Sequence, residues 1–326
     1  MFMRKLIVNR VTLMTLPLSL VLFISFAIGQ EYPARSVKLI SPYASGGVTD
    51  ITWRSMLDTI RKALGQPLII ENKTGGSGAV GYTVVANAKP DGYTVGHISL
   101  GSFINNYLSY DVAYDPIKSF TFIGGVARYA ECVIVRSDAP WRTWNELVDY
   151  LKAHPDQVRM GITGGRSSHS IAAKWIGKKL GLKWREVTFP AESEGIAALL
   201  GGHVDVLPSA GAINILVRDG RARMLLALTT DPIPGYPDVP TFKKVFGKNT
   251  MNASGLMGPA GIPAPILAKL EMAVHEGTKD PGFLRTMEEM NMTPLWRSSR
   301  EFTQDIESSL NSSHEFLKDL DMLKKK

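Results

Sequence analysis

The 326-residue sequence predicts an α/β fold of two doubly wound lobes with a ligand cleft between them. Three observations carry that expectation. Single cores stop growing beyond roughly 250–300 residues, so this length favours two lobes. Short β-prone runs alternate with helical periodicity along most of the chain. Glycine-rich loops recur where such a run gives way to a helix, at residues 44–49, 74–78 and 164–168.

The elements follow in order. Val37, Leu39 and Ile40 form a short strand running into Ser41-Pro42-Tyr43-Ala44-Ser45-Gly46-Gly47-Val48-Thr49-Asp50. Ile51, Met56, Leu57, Ile60 and Leu64 then recur at helical spacing, with Thr49 or Asp50 as the cap and Gly65 as the stop. The unit repeats as a strand over 67–71, a glycine loop over 74–78 and a helix over 80–88. After a turn at 89–92, a strand over 93–98 delivers Ser99-Leu100-Gly101-Ser102 as a loop, before a helical segment near 105–108. Strands alternating with helices imply a parallel sheet. The crossing to the second lobe is expected between the apolar runs 120–126 and 132–135.

In the second lobe, Thr143 caps a helix over 144–153, and a strand over 160–163 feeds Gly164-Gly165-Arg166-Ser167-Ser168. The next helix buries Ile171, Ala172, Trp175, Ile176 and Leu180 and ends at Gly181. A strand over 186–189, a helix over 193–200 and a strand over 204–207 complete a second parallel sheet, and a strand over 224–228 leads back. A proline-rich loop over 231–241, a strand over 253–258 and helices over 265–277 and 301–318 return to the first lobe. The expected division is 30–128 plus 254–326 as lobe 1 and 129–253 as lobe 2.

Composition narrows the class. With 44% hydrophobic and 21% charged residues, 30 Gly and 19 Pro, the chain is an ordinary packed protein, which excludes disorder, collagen and coiled coil. Its net charge of +7 includes Arg4, Lys5 and Arg10 of the N-terminal segment, and Lys324, Lys325 and Lys326 form a solvated tail, so no nucleic-acid partner is expected. A single cysteine, Cys132, excludes an internal disulfide, a Cys-rich zinc site and a redox pair. No metal or cofactor is expected.

The first 30 residues place those basic side chains before an apolar stretch over 11–28 that no charge interrupts, the pattern of a secretory signal. Ala27 and Gly29 have the spacing a signal peptidase accepts, so residues 1–29 are read as a signal peptide cleaved after Gly29, with an uncleaved anchor as the alternative. The remainder is read as soluble and exported.

A loop that runs into a helix presents unpaired backbone N–H groups and about half a positive charge, which suits phosphate or carboxylate. Gly46 and Gly47 let a ligand close to the backbone, with Ser45 and Thr49 adding hydroxyls; Gly164, Gly165, Ser167 and Ser168 do the same from the other lobe. Arg166 adds a planar fork for a carboxylate, and Tyr43 a ring and a hydroxyl. Thr163, Ser99 and Ser209 complete the candidate set. Read singly, these loops are ordinary turns and caps. Gly76-Ser77-Gly78-Ala79-Val80-Gly81 matches a dinucleotide fingerprint, but the strand that should end in an acid ends in Ser99. No Walker loop, His-Glu-x-x-His pair or Gly-x-Ser-x-Gly elbow occurs. His169 beside a serine pair reads as capping, Glu192 and Glu194 as acids favoured at a helix start, and Trp53, Trp175 and Trp184 as packing.

The mature sequence resembles the substrate-binding proteins of tripartite tricarboxylate transporters, the Bordetella uptake gene (Bug) family. The resemblance rests on VKLISPYASGGVTD, GQPLIIENKTGGSGAVG, KPDGYTV, YDPIKSF, ALLGGHVDV, RDGRARMLLAL, YPDVPTF and GPAGIPAPILAKL, all in family order. It implies a two-lobed, type II periplasmic-binding-protein-like fold, a periplasmic location, and a monomer that closes over a small carboxylate and passes it to integral-membrane permease subunits. No catalysis is implied. It assigns one carboxylate to Tyr43, Ser45, Gly46, Gly47 and Thr49 and the opposing grip to the loop over 163–168. The chain departs from the family at Ala44-Ser45, at Arg166, at Ser170 and around residues 191–194. Arg166 implies a second anionic group on the ligand or a bulkier acid, so a di- or tricarboxylate is expected, a dicarboxylate first. The readings set against a permease-coupled binding protein are an exported hydrolase acting on an acyl or phosphoryl substrate and a binding protein feeding a sensor.

Overall fold

The computed structural model describes residues 31–325 apart from 211, 212, 249 and 251, and the expected signal peptide lies outside the described residues. Val37, Leu39 and Ile40 are buried in β1 (Val37–Ser41), as an apolar run in a sheet covered on both faces requires. Helices α1 (Val48–Arg54) and α2 (Leu57–Leu64) follow, then β2 (Leu68–Asn72), α3 (Ala79–Ala86), β3 (Thr94–Ser99), α4 (Leu100–Ser109) and β4 (Phe120–Arg128). A linker of Tyr129, Ala130 and Glu131 enters β5 (Cys132–Arg136), followed by α5 (Trp144–Ala153), β6 (Arg159–Thr163), α6 (Ser168–Leu180), β7 (Arg185–Phe189), α7 (Glu192–Leu200) and β8 (Val206–Ser209). After α8 (Ile213–Arg218), β9 (Ala222–Ala227) and α9 (Phe242–Phe246), the chain returns through β10 (Ala253–Pro259), α10 (Ala264–Gly277), α11 (Pro281–Glu289), β11 (Thr293–Arg297) and α12 (Ser299–Asp319).

Among the described residues these strands form two sheets, ordered β11-β4-β10-β3-β1-β2 and β7-β6-β8-β5-β9. The strand–loop–helix units pair as expected, β1 parallel to β2 and β3, and β6 parallel to β7 and β8. The expectation of two wholly parallel sheets is corrected. β10 runs antiparallel to β3 and β4, and β5 antiparallel to β8 and β9, because these strands arrive across the linkers between the sheets and not around a crossover helix.

Two helix expectations also change. The single helix from Ile51 to Leu64 breaks at Ser55 and Met56, where the Ser55 hydroxyl donates to Thr52 O at 2.7 Å and competes with the helical ladder. The loop expected at 99–102 is the cap and first turn of α4. Three caps act as read: Thr143 accepts from Glu146 N–H, and Gly65 and Gly181 end their helices at φ of 76° and 65°, where a side chain would be strained.

The core of the first sheet on its α4 face is aromatic, with Phe103 stacked on Tyr114 at 5.3 Å and edge-on to Tyr82 at 5.0 Å. Trp53 and Trp175 are buried, and the partly buried Trp184 packs over Gly177, where a Cβ would meet its ring at 2.3 Å. α12 packs on β4 and α4, and its C-terminal half reaches α6: Trp175 Nε1–H donates to Asp319 Oδ2 at 2.9 Å, and the Phe316 ring stands 5.2 Å from that indole. No helix of the described residues is long and apolar enough to cross a membrane.

Candidate functional site

The β1–α1 loop is shaped by an internal carboxylate. Gly47 is the N-cap and makes no side-chain cap bond, so neither Thr49 nor Asp50 caps the helix as expected; both lie within α1. Asp50 instead turns back, accepting from Gly46 N–H at 3.0 Å and from the Ser45 hydroxyl at 3.2 Å, while Arg54 grips it through Nε at 2.7 Å and Nη2 at 3.1 Å. Burial works against the charge of Asp50, and the Arg54 and Gly46 bonds outweigh it, holding the carboxyl below its ordinary range. Ser45, Gly46 and Gly47 are exposed, whereas Thr49 is buried with its hydroxyl 3.3 Å from that of Tyr129 in the linker. Tyr43 is half-buried, its hydroxyl 3.0 Å from that of Tyr82.

The β6–α6 loop is built around His169. Gly164 takes a φ of 51°, and the Ser167 hydroxyl caps α6 by accepting from Ser170 N–H while donating to Thr163 O at 2.8 Å. His169 Nε2 lies 3.0 Å from Thr163 Oγ1 and 2.9 Å from Ser167 Oγ, and Nδ1 faces Glu131 Oε1 at 3.4 Å. Burial opposes protonation of His169, yet the Glu131 carboxylate beside it, helped by Glu192, raises its pKa above the usual value. Ser167, His169 and Glu131 thus stand in the order of a hydrolytic triad, but the Ser167 hydroxyl is committed to the helix start.

Glu131 is the residue the sequence reading missed, although it is a lone acid between two apolar runs. It is 3% exposed, and its Oε1 accepts from the Ser168 hydroxyl and from Asn252 Nδ2, the latter at 2.8 Å. Asn252, missed likewise, accepts through Oδ1 from Gly101 N–H at 3.0 Å and from the Ser99 hydroxyl at 3.4 Å. Ser99 and Ser168, from different sheets' helix starts, are therefore joined through the two linkers.

Arg166 sits between the same parts. Its carbonyl accepts from Asn105 Nδ2 of α4 at 3.1 Å, and its guanidinium lies 5.0 Å over the half-exposed Tyr110 ring, a cation–π contact. The Arg166 Nε is buried with no partner among the described residues. Gly165 lies partly open with free space where a Cβ would stand. Ser209 is elsewhere, its hydroxyl donating to Glu192 Oε1 beside Ala210 N–H, which donates to the same oxygen at 2.7 Å. The described residues hold no group of three His, Cys, Asp or Glu placed to bind a metal.

Residues 52–322 match the family described as tripartite tricarboxylate transporter family receptor. A Cupriavidus necator protein described as UPF0065 protein in gbd 5'region is 28% identical over 295 residues, which is 90% of this chain and 90% of that one. The periplasmic binding protein BugD has a fold matching at a TM-score of 0.81 with 26% identity, over 90% of this chain and 100% of that one. MatC of Rhodopseudomonas palustris, solved with bound malate, matches at 0.78 with 26% identity, over 88% of this chain and 100% of that one. Two α/β sheets joined by paired linkers, with glycine loops leading into α1 and α6 and a family match across most of the chain, lead to one conclusion: the protein belongs to the tripartite tricarboxylate transporter receptors of the Bug type, solute-binding receptors and not enzymes.

Proposed function

We propose that the protein is an exported, periplasmic receptor that captures a small carboxylate between two lobes and delivers it to the permease subunits of a tripartite tricarboxylate-type transporter. The lobes are residues 30–128 with 254–326, and 129–253, with residues 1–29 as the signal for export. The observation that carries the reading is the pair of glycine loops, one on each sheet, each leading into a helix start whose amides suit an anion. Malate bound to MatC supports a dicarboxylate.

The internal bonds divide the work among the candidate residues. Asp50 takes Ser45 and the Gly46 amide and Tyr129 takes the buried Thr49 hydroxyl, so these shape the first loop, and Tyr43 and Gly47 are left to meet the ligand. On the second side, Thr163, Gly164 and Ser167 hold the loop's shape while Gly165 and Arg166 face the anion. Ser99 and Ser168 support the site from behind through Asn252 and Glu131, while Ser209, bound to Glu192, stands apart from it.

Thermal denaturation of the mature protein against di- and tricarboxylates, aromatic acids and amino acids tests this, because a ligand of the native state raises the midpoint. The expected result is a rise confined to dicarboxylates, with Arg166→Ala weakening the best of them by about 1–3 kcal/mol. A panel without any carboxylate response, or an Arg166→Ala variant of unchanged affinity, contradicts the assignment.

A further inference from the structure

Gly101 occupies the first turn of α4 and does not take a positive φ. Nothing in its own backbone calls for glycine, and alanine is the better helix former. The reason for the missing side chain lies on the other sheet. A Cβ on Gly101 would stand 2.7 Å from Ser168 Cβ and 2.8 Å from Ser168 Oγ, closer than the roughly 3.5–4.0 Å at which carbon atoms pack. Ser168 is the first residue of α6, and its Cβ is fixed to the backbone, so relief comes only by moving one helix start away from the other.

The other crowded glycines meet neighbours of their own half. A Cβ on Gly96 would meet Val85, on Gly161 Leu207, and on Gly255 Phe302. Among the described glycines, Gly101 is the one whose Cβ would collide with a helix of the other sheet. The same contact closes a ring of hydrogen bonds: Gly101 N–H donates to Asn252 Oδ1 at 3.0 Å, Asn252 Nδ2 donates to Glu131 Oε1 at 2.8 Å, and the Ser168 hydroxyl donates to that oxygen. One turn along α4, Asn105 Nδ2 donates to Arg166 O at 3.1 Å, so the spacing of the two helix starts also sets where the Arg166 loop stands against the first sheet.

We propose that Gly101 is a positioning residue for ligand capture: by carrying no side chain it lets the α4 and α6 starts meet, and that contact sets how closely the two glycine loops approach a bound carboxylate. The inference rests on the two-lobed receptor reading above. A methyl group at Gly101 holds the starts apart by roughly 1 Å, which stretches every hydrogen bond a ligand makes to both loops at once. Separation of the lobes accommodates the methyl, with no loss of packing inside either one.

Gly101→Ala, Ser168→Gly and the double variant test this, by urea denaturation of the mature protein without ligand and by calorimetric titration with malate, or with succinate and adipate where the wild type does not bind malate. Without ligand, the Gly101→Ala midpoint stands level with or above the wild-type value, because opening relieves the methyl and alanine favours the helix. With ligand, Gly101→Ala weakens binding roughly tenfold or more. In the Ser168→Gly background, where no Cβ opposes the methyl, the same change alters affinity less than about twofold. A lowered midpoint makes Gly101 an ordinary packing position and overturns the proposal, as does unchanged affinity or an equal loss in both backgrounds. A wild-type protein silent to all three acids contradicts the dicarboxylate reading instead, and the midpoints then decide whether Gly101 sets the closure.

Discussion

Two buried histidines near the linkers respond to acid with opposite signs. His97 is fully buried, its Nε2 3.1 Å from Ser254 Oγ and 3.3 Å from the Tyr129 hydroxyl, and burial pushes its pKa down from 6.5 to about 3. The unfolded chain binds a proton near 6.5 that the folded chain refuses, so His97 removes stability as pH falls from about 6.5 toward 3, by about 1.4 kcal/mol per unit. His169 is held above 6.5, with the carboxylates of Glu131 and Glu192 overcoming its burial. Its contribution is complete below the unfolded value and is lost as pH rises through the raised one. Urea denaturation across pH 5–9 separates them. His97→Gln flattens the loss of stability on the acid side, by roughly 2 kcal/mol at pH 5, while His169→Gln destabilises more at the acid end than at the alkaline end. Parallel curves for either variant contradict its assigned protonation. At this scale the site was half legible. Glycines and hydroxyls announce loop chemistry by type, but Asp50, Glu131 and Asn252 act through partners as distant as Gly101 to Asn252, which no local pattern reveals.

The last helix holds the fold through its apolar contacts more than its charges. α12 lies along β4 and α4 and then meets α6 and α9, with Phe316 against Trp175 at 5.2 Å and Phe242 at 5.9 Å. Around that contact Lys248 pairs with Glu315 at 2.8 Å and Lys178 with Asp321 at 2.8 Å, all with solvent-exposed side chains. Exposed pairs contribute little, whereas a buried aromatic deletion typically costs about 3–5 kcal/mol. Phe316→Ala is therefore expected to lose about 3 kcal/mol in urea denaturation, and Lys248→Ala under about 1 kcal/mol. Equal losses would mean that the charges, not the ring, fasten this end of the helix. Element by element, hydrophobic period and caps were strong guides, as α5 and α6 show. Strand direction was not, because β5 and β10 read as apolar runs whichever way they lie. α11 was passed over despite the Asp280 cap and Pro281 at its start, and β11 because its five residues, with Pro294 among them, carry too little alternation.

For the molecule as a whole, the two sheets meet through Tyr129–Glu131 and the return segment before β10, and the polar groups there tie both sides together. Asn105 and Arg166 add a contact from α4 to the β6–α6 loop, so any motion that separates the sheets must break that bond at 3.1 Å and lift Arg166 from Tyr110. Under the proposed function, a ligand bridging the two glycine loops would replace those contacts with its own. The most direct test is the crystal structure of the mature protein with the carboxylate selected by thermal denaturation. It is predicted to show one carboxylate on the Gly47 side of the β1–α1 loop and the other within hydrogen-bond reach of Gly165 and the Arg166 guanidinium. A carboxylate seated away from both loops, or held by one of them alone, would contradict capture between the two lobes.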